Sequence, residues 1–451
     1  MTVEQIIQDS VKEFKKNQAQ KRRRHIRKLI DYYCGTNTTN YISQYFDADA
    51  FREIPCYQAN FTKRFVNKMS RIYNVGANRN VNNNYDNLTV MKDARMKHIE
   101  RMTRLIGSVA TQVVFIDGDS PRFDYRPIYY FDVHLGDNPF KPEAIIYPIL
   151  MNVDDVSYAE KLQYAYWDNA IYAHYDEDGN IIDEYEHGYG ILPFVFTHRE
   201  NQLDSFFVDG ADDIVSCNEH VNITMTELQL GLRFQMFGQP YVTGLQADKR
   251  LERAGSDTIL DLPEGSVFDI VAPDADLNAV IETVKFQVDL VAQNNHLYVQ
   301  FAQDGGEVPS GIALKIKDLE RFEDYQDDLE LWKMYEHELY SVEREIAAYN
   351  SIKLPESLKL DFNEPEYPKT MQDQILWDNH RLQNNLITRP KLMVEYNDDL
   401  SLKEAEKIIV DNKNTNQPVA EESNPVPPRM LRVSLSRSTS IVPLSEVRSR
   451  S

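Results

Sequence analysis

Two apolar stripes at helical spacing, separated by a stretch too short to be a domain, constrain this chain most. Within residues 212–237, Val221, Met225, Leu228 and Leu232 recur at steps of four and three and share one face of a helix. Within residues 277–301, Leu277, Ile281, Val284, Val288 and Val291 do the same. Stripes this narrow suit packing of helix on helix rather than a helix laid over a sheet. Between them, residues 240–243, 258–260 and 266–271 are short β candidates. Leu262-Pro263-Glu264-Gly265 puts Pro and Gly where a type I turn favours them. Strands of this length make no stable sheet by themselves. The pattern predicts two long helices capped by a small β module, with apolar surface that needs neighbouring chains.

The second helix must break in residues 302–310, where Gly305 and Gly306 free the backbone and Pro309 blocks continuation. Ser310 is placed to cap the next helix. Residues 311–350 then read as one long helix, with Trp332, Tyr335, Leu339, Val342 and Ile346 on one stripe. Carboxylates between Glu320 and Glu345 are interspersed with Arg321, Lys333 and Arg344 and read as a solvated acidic face. Asp304 and Glu307 project from the preceding break, which reads equally as a plain helix connection or as an acidic loop with its own role.

The first third combines helices and strands. Residues 11–33 form a helical candidate carrying Lys21-Arg22-Arg23-Arg24-His25-Ile26-Arg27-Lys28, either a nucleic-acid contact or a solvated face. Residues 60–75 place Phe61, Phe65, Met69 and Ile72 on one stripe. Because the aromatics share that stripe, a core face with flanking cations is favoured over base stacking. Residues 113–118, 128–133, 144–150 and 162–167 are apolar, aromatic and bounded by turn residues, hence strands. Residues 170–185 read as a hairpin. Asp176 and Asp178 before Gly179 faintly suggest a calcium loop, but the terminal glutamate and flanking helices are missing, so an Asp-Gly turn is preferred. Near the end, residues 371–385 and 401–410 are short helices, the second with the capping-box spacing Ser401 to Glu404. Beyond Asn414 the composition turns to Asn, Pro, Ser and Arg, with five arginines against one glutamate from Ser423 on. That reads as a flexible tail, or as a basic segment able to touch DNA.

The net charge of −22 over 451 residues argues against a protein that coats nucleic acid by neutralising phosphates. Cys34, Cys56 and Cys217 are too scattered for a disulfide framework or zinc site, which suggests reduced thiols in a cytoplasmically made protein. No apolar run is long enough to span a bilayer, and the polar N-terminus is unlike a signal peptide. There is no Walker A loop, no H-E-x-x-H and no G-x-S-x-G elbow. His220 and His337 read as helix-surface residues. These absences point to no enzyme, no cofactor and no metal.

The order helix, β module, helix, loop, long helix resembles the siphophage-type portal family of tailed bacteriophages. Pro309-Ser310-Gly311-Ile312-Ala313-Leu314-Lys315 is similar to that family's small-residue opening of its long helix. The resemblance covers residues 20 to 410 or so and implies an α+β portal-like subunit. Its parts would be a mixed wing (1–211), stem helix (212–237), clip (238–276), second stem helix (277–301), tunnel loop (302–310), long helix with wing return (311–370), helical crown (371–414) and tail (415–451). The implied function is a ring of about a dozen subunits at one capsid vertex of the virion. Double-stranded DNA would pass through it in packaging and ejection, with terminase, head–tail adaptors and major capsid or scaffold proteins as partners. The resemblance also assigns roles. Asp304, Gly305, Gly306 and Glu307 would narrow the DNA channel, and Asp248, Lys249, Arg250 and Glu252 would face terminase or adaptor. Val221, Met225, Leu228, Leu232, Leu277, Ile281, Val284 and Val288 would pack between subunits. A nucleic-acid-processing enzyme, or another oligomeric virion or scaffold protein, are the alternatives.

Overall fold

A computed structural model describes residues 17–46, 55–149, 163–176, 178–237, 239–243, 267–271, 276–299, 319–363, 371–397 and 400–415, with a few isolated positions. The chain divides into a unit ending at Tyr367 and another beginning at Pro368. Helices and antiparallel sheets both contribute, so the class is α+β.

The first unit opens on helices α1 (Asn17–Cys34), α2 (Thr38–Ser43) and α3 (Thr62–Met69). Phe65, Met69 and Ile72 are buried, as their stripe predicts. The helix is shorter than its periodicity suggests. It stops at Ser70, whose hydroxyl turns back to the Val66 carbonyl, and Ile72 opens a separate single 3₁₀ turn. Next come β1 (Ala77–Asn80), α4 (Asn83–Leu88) and α5 (Lys92–Ile106). The Asn82 side chain caps α4 by accepting from the Tyr85 amide. α5 ends at Gly107, with φ 93°. A Cβ there would lie 1.9 Å from the Val208 carbonyl oxygen, and one at Gly210 would lie 2.1 Å from that of Leu105. The two backbones thus meet where only glycine fits.

The strands are β2 (Ser108–Ile116), β3 (Arg122–Ile128), β4 (Asp132–Leu135), β5 (Pro142–Ile149), β6 (Gln163–Trp167), β7 (Ile171–Tyr175), β8 (Ile181–Glu186) and β9 (Phe194–His198). They form an antiparallel sheet of order β3-β2-β9 and a meander β4-β5-β6-β7-β8. The strand expected at 128–133 is instead a corner between these sheets. Tyr130 enters the helical core while Phe131 enters the core between the strands, so the chain changes sheet there. At the β7–β8 turn, Asp176 Oδ1 accepts from the Asp178 and Asn180 amides at 2.9 Å. That is the hairpin turn, with the carboxylate spent on the backbone.

After β9 come α6 (Asp212–Phe237), β10 (Gln239–Thr243), β11 (Val267–Val271) and α7 (Leu277–Asn294). The long helix α8 (Leu319–Tyr349) and β12 (Lys359–Phe362) complete the unit's described elements. Trp332, Tyr335, Leu339 and Ile346 are buried as predicted, packed on Ile72, Met96, Ile99 and Phe123. β12 pairs antiparallel with β1, a polar strand without the alternation that would have revealed it.

The acidic face expected on α8 is not wholly solvated. Glu336 and Glu343 share the Trp332–Leu339–Ile346 stripe and are fully buried. Arg79 donates to Glu336 from Nη2 at 2.6 Å and from Nε at 2.9 Å, and the Tyr73 hydroxyl donates at 2.7 Å. Lys92 Nζ, also fully buried, lies 3.1 Å from Glu336 and 2.7 Å from Glu343. Tyr85 and Tyr125 donate to Glu343 at 2.7 and 2.5 Å. Apolar spacing alone could not show that two of these carboxylates face inward. Burial acting alone would raise the Glu336 pKa, but Lys92, Arg79 and Tyr73 more than offset it and hold the carboxyl at about 2.

The second unit holds α9 (Met371–Gln383), α10 (Arg389–Glu395) and α11 (Leu402–Thr415). α10 lies between the two short helices that the sequence predicts. Pro390 sits in its first turn, where its missing N–H has no cost. Arg381 holds Glu395 through two bonds of 2.9 and 2.8 Å. The capping box forms, with the Ser401 amide donating to Glu404 at 3.0 Å and the Glu404 amide to Ser401 at 3.4 Å.

Lys92→Met should lower the unfolding free energy by about 3–5 kcal/mol, because two buried carboxylates lose their shared cation. Urea titration at neutral pH measures it. Glu336 has a depressed folded pKa, so its contribution is present above the unfolded value of 4.5 and is lost as pH falls toward about 2. The same titration in acid should show stability declining in that window.

Candidate interaction surface

α6 and α7 form an antiparallel pair whose root is built into the first unit. Asn295, just past α7, donates to Asp213 at 2.6 Å in the first turn of α6. Arg199 donates to the Gly210 carbonyl at 2.6 Å and to Asn295 Oδ1 at 3.4 Å. Val221 and Val288 are 5% and 8% exposed, packed with Ile26, Leu29, Phe65 and Met69 of α1 and α3.

A polar ladder fastens the next two turns. Asn218, Asn222 and Thr226, at steps of four, hold the extended segment around Ala59 through its backbone. Asn218 Oδ1 accepts from the Phe61 and Thr62 amides at 3.0 and 3.2 Å, and its Nδ2 donates to the Ala59 carbonyl at 2.7 Å. Asn222 Oδ1 accepts the Ala59 amide at 2.8 Å, and Thr226 Oγ1 accepts the Tyr57 amide at 3.0 Å. A row of small polar residues at helical spacing was the available sequence signal, beside the apolar stripe that drew attention.

Beyond the ladder the pair loses its cover. Leu232 and Ile281 are exposed and Met236 is 71% exposed; nearer the root, Leu290 and Phe286 (67% exposed) stand outward on α7. The pair continues into the antiparallel ribbon β10–β11, whose register runs from Gln239↔Val271 to Thr243↔Val267. Val267, Ile270 and Val271 of the ribbon are exposed as well.

The residues predicted to pack between subunits therefore separate into groups. Val221 and Val288 are interior to the first unit, which corrects their assignment to a seam between chains: the root of the stripe is covered by α1 and α3. Met225 and Val284 are partly buried against the same core, Leu228 and Leu277 are half-buried, and Leu232 and Ile281 are exposed. Phe286 and Leu290, on the face of α7 opposite its stripe, were not foreseen. Asp248, Lys249, Arg250 and Glu252, and the loop residues Asp304, Gly305, Gly306 and Glu307, lie outside the described residues.

The basic run on α1 is a solvated face only in part: Lys21, Arg24 and His25 are exposed, while the other cations are engaged within the unit. Arg22 pairs with Asp132, donates to the Phe131 carbonyl at 3.0 Å and lies 3.7 Å above the Phe207 ring centre. Arg23 is buried, Arg27 pairs with Asp31, and Lys28 reaches Glu219 at 2.8 Å. His25 pairs with Asp212 at the start of α6, and that hydrogen bond raises the imidazole pKa against the effect of burial. The charges stitch α1 to β4 and α6; Lys21 and Arg24 remain exposed. His220 and His337 are exposed on their helices. Among the described residues, no group of three His, Cys, Asp or Glu could hold a metal, and no helix is long and apolar enough to cross a membrane.

Asn218→Ala should leave the Phe61 and Thr62 amides unsatisfied and cost about 1–3 kcal/mol. Limited proteolysis should then cut between Tyr57 and Phe61 sooner than in the unaltered chain. No model of a known protein family and no curated protein matches this chain.

Proposed function

We propose that this chain is the subunit of a ring-shaped conduit for double-stranded DNA, a portal at one capsid vertex of a virion. The observation that carries the reading is the α6/α7 pair, rooted in the core and capped by a two-stranded ribbon, whose distal half keeps large apolar side chains in water. Burying one such side chain stabilises by about 1.5–3 kcal/mol, so Leu232, Met236 and Ile281, together with Phe286 and Leu290 on the outer face of α7 nearer the root, are the side chains that would meet neighbouring copies. A face that meets a different face of the next copy ends without open filaments only by closing into a ring. The resemblance of the element order to portals supplies the ring of about a dozen and the assignment of α6 and α7 as stem and β10–β11 as part of the clip.

In this reading α8 crosses the wing and α9 to α11 form the crown. The clip, with Asp248, Lys249, Arg250 and Glu252, docks terminase and then head–tail adaptors, while the wing meets capsid and scaffold proteins. An acidic chain suits a channel wall, because carboxylates repel phosphate and keep DNA from sticking. Asp304 and Glu307, beside Gly305 and Gly306, would add a repulsive ring at the narrowest point. Energy for packaging comes from a separate motor, and the ring itself turns over no ATP.

Native mass spectrometry of the purified chain should give closed rings. Phe286→Asp and Met236→Asp should each shift the population to monomers without lowering subunit stability, whereas Val288→Asp should unfold the subunit. Monomer alone across concentration and salt would refute the conduit, and a different closed symmetry would favour another virion or scaffold protein. Replacing Asp304 and Glu307 together with lysine should leave the ring intact and slow DNA entry into assembled proheads. Unchanged packaging and retention would remove these side chains from the DNA path.

A further inference from the structure

Away from the α6/α7 pair, the turn before β5, the end of β6, β9 with the loop after it, and α8 enclose a groove of about 1110 Å³. Its charge is one-sided. Glu143, Asp168, Glu200, Glu338 and Glu345 line it, against the single lysine Lys141. Asp168 is occupied by the Ala170 and Ile171 amides, each at 2.7 Å, and Glu345 pairs with Arg344 at 3.0 Å. Among the described residues the carboxylates of Glu143, Glu200 and Glu338 make no hydrogen bond or ion pair. Burial holds the Glu338 carboxyl above its usual range while Lys141 draws it down, so an incoming cation would relieve it.

A second feature of the groove is independent of these acids. His198, 5% exposed, is part of the wall. Ser108 Oγ accepts the Val208 amide at 2.9 Å and lies 2.9 Å from His198 Nδ1, so its own proton is free to go to that nitrogen. Burial lowers the imidazole pKa to about 4, so the ring is neutral; with the Ser108 hydroxyl donating to Nδ1, its proton sits on Nε2. That N–H has no partner among the described residues, and at the groove wall it can donate to an acceptor such as a peptide carbonyl. Phe140, Phe196 and Met334 add apolar surface on which the stems of arginine or lysine side chains can lie.

We propose that this groove docks a basic segment of a partner polypeptide. Its cationic side chains meet Glu143, Glu200 and Glu338, and a main-chain carbonyl meets His198 Nε2. Nucleic acid is repelled by the same carboxylates. This inference does not rest on ring formation.

The test adds a fluorescein-labelled peptide of alternating arginine and glycine to the full chain and follows anisotropy. The combined variant Glu143→Gln, Glu200→Gln, Glu338→Gln should weaken binding by about tenfold, since three partly exposed charge pairs are lost. A control with the same change of charge, Asp117→Asn, Glu184→Gln, Glu406→Gln, should bind as the unaltered chain does. No binding, binding indifferent to the groove variant, or equal weakening by the control would overturn the proposal. Should the groove variant lose its fold by circular dichroism, the unaltered chain is crosslinked with the same peptide bearing a benzophenone. Adducts on Phe140 or Met334 support the groove, and adducts confined elsewhere overturn it.

Discussion

The fold of the first unit depends on a lysine with nowhere else to go. Lys92 Nζ is out of water between Glu336 and Glu343, and both carboxylates belong to α8, over two hundred residues along the chain. Isolated, any of the three charges would cost several kcal/mol to bury. Together, and with Arg79, Tyr73, Tyr85 and Tyr125 taking the remaining lone pairs, they hold β1, the 3₁₀ turn, α4, α5 and β3 in register against one helix. Apolar contacts tolerate a helix sliding by a turn; this set of bonds does not, because a slip would leave charges unpaired in the interior.

The same division of labour recurs at the root of α6. Apolar packing on α1 and α3 supplies the burial, while Asn218, Asn222 and Thr226 supply direction by bonding a particular stretch of backbone. The polar ladder ends with Thr226, and the side chains after it along α6 grade from half-buried to exposed. One helix thus changes character along its length, first part of the unit's interior and then an exposed surface.

Much of this architecture was legible in the residues. The stripes of α3, α6, α7 and α8 appear as helices, and the aromatic runs at 144–150 and 162–167 appear as strands, because apolar periodicity reports burial directly. What escaped was carried by polar residues. Glu336 and Glu343 looked solvated because composition cannot show that Arg79 and Lys92 are brought to them by chain reversal. The cations of α1 looked like a ligand surface or a wet face because Asp132 and Glu219 are remote in sequence. β1 escaped for the same reason: Ala77-Asn78-Arg79-Asn80 has no alternation, and its reason for being a strand is the destination of Arg79. In the candidate surface, Leu232 and Ile281 belonged to the stripe, but Phe286 and Leu290 lay outside the periodicity used to find it.

The crossing of Gly107 and Gly210 has a mechanical corollary. There the end of α5 touches the approach to α6 main chain against main chain, with the Ala211 amide bonded to the Leu105 carbonyl at 2.9 Å and the Arg199 amide to that of Gly107 at 2.8 Å. Side-chain contacts yield by changing rotamer, whereas two backbones in van der Waals contact have no such compliance. The α6/α7 pair is therefore a cantilever with a clamped end. A load applied at the β10–β11 ribbon is absorbed by bending of the uncovered helical turns, and the strain decays before it reaches the sheets.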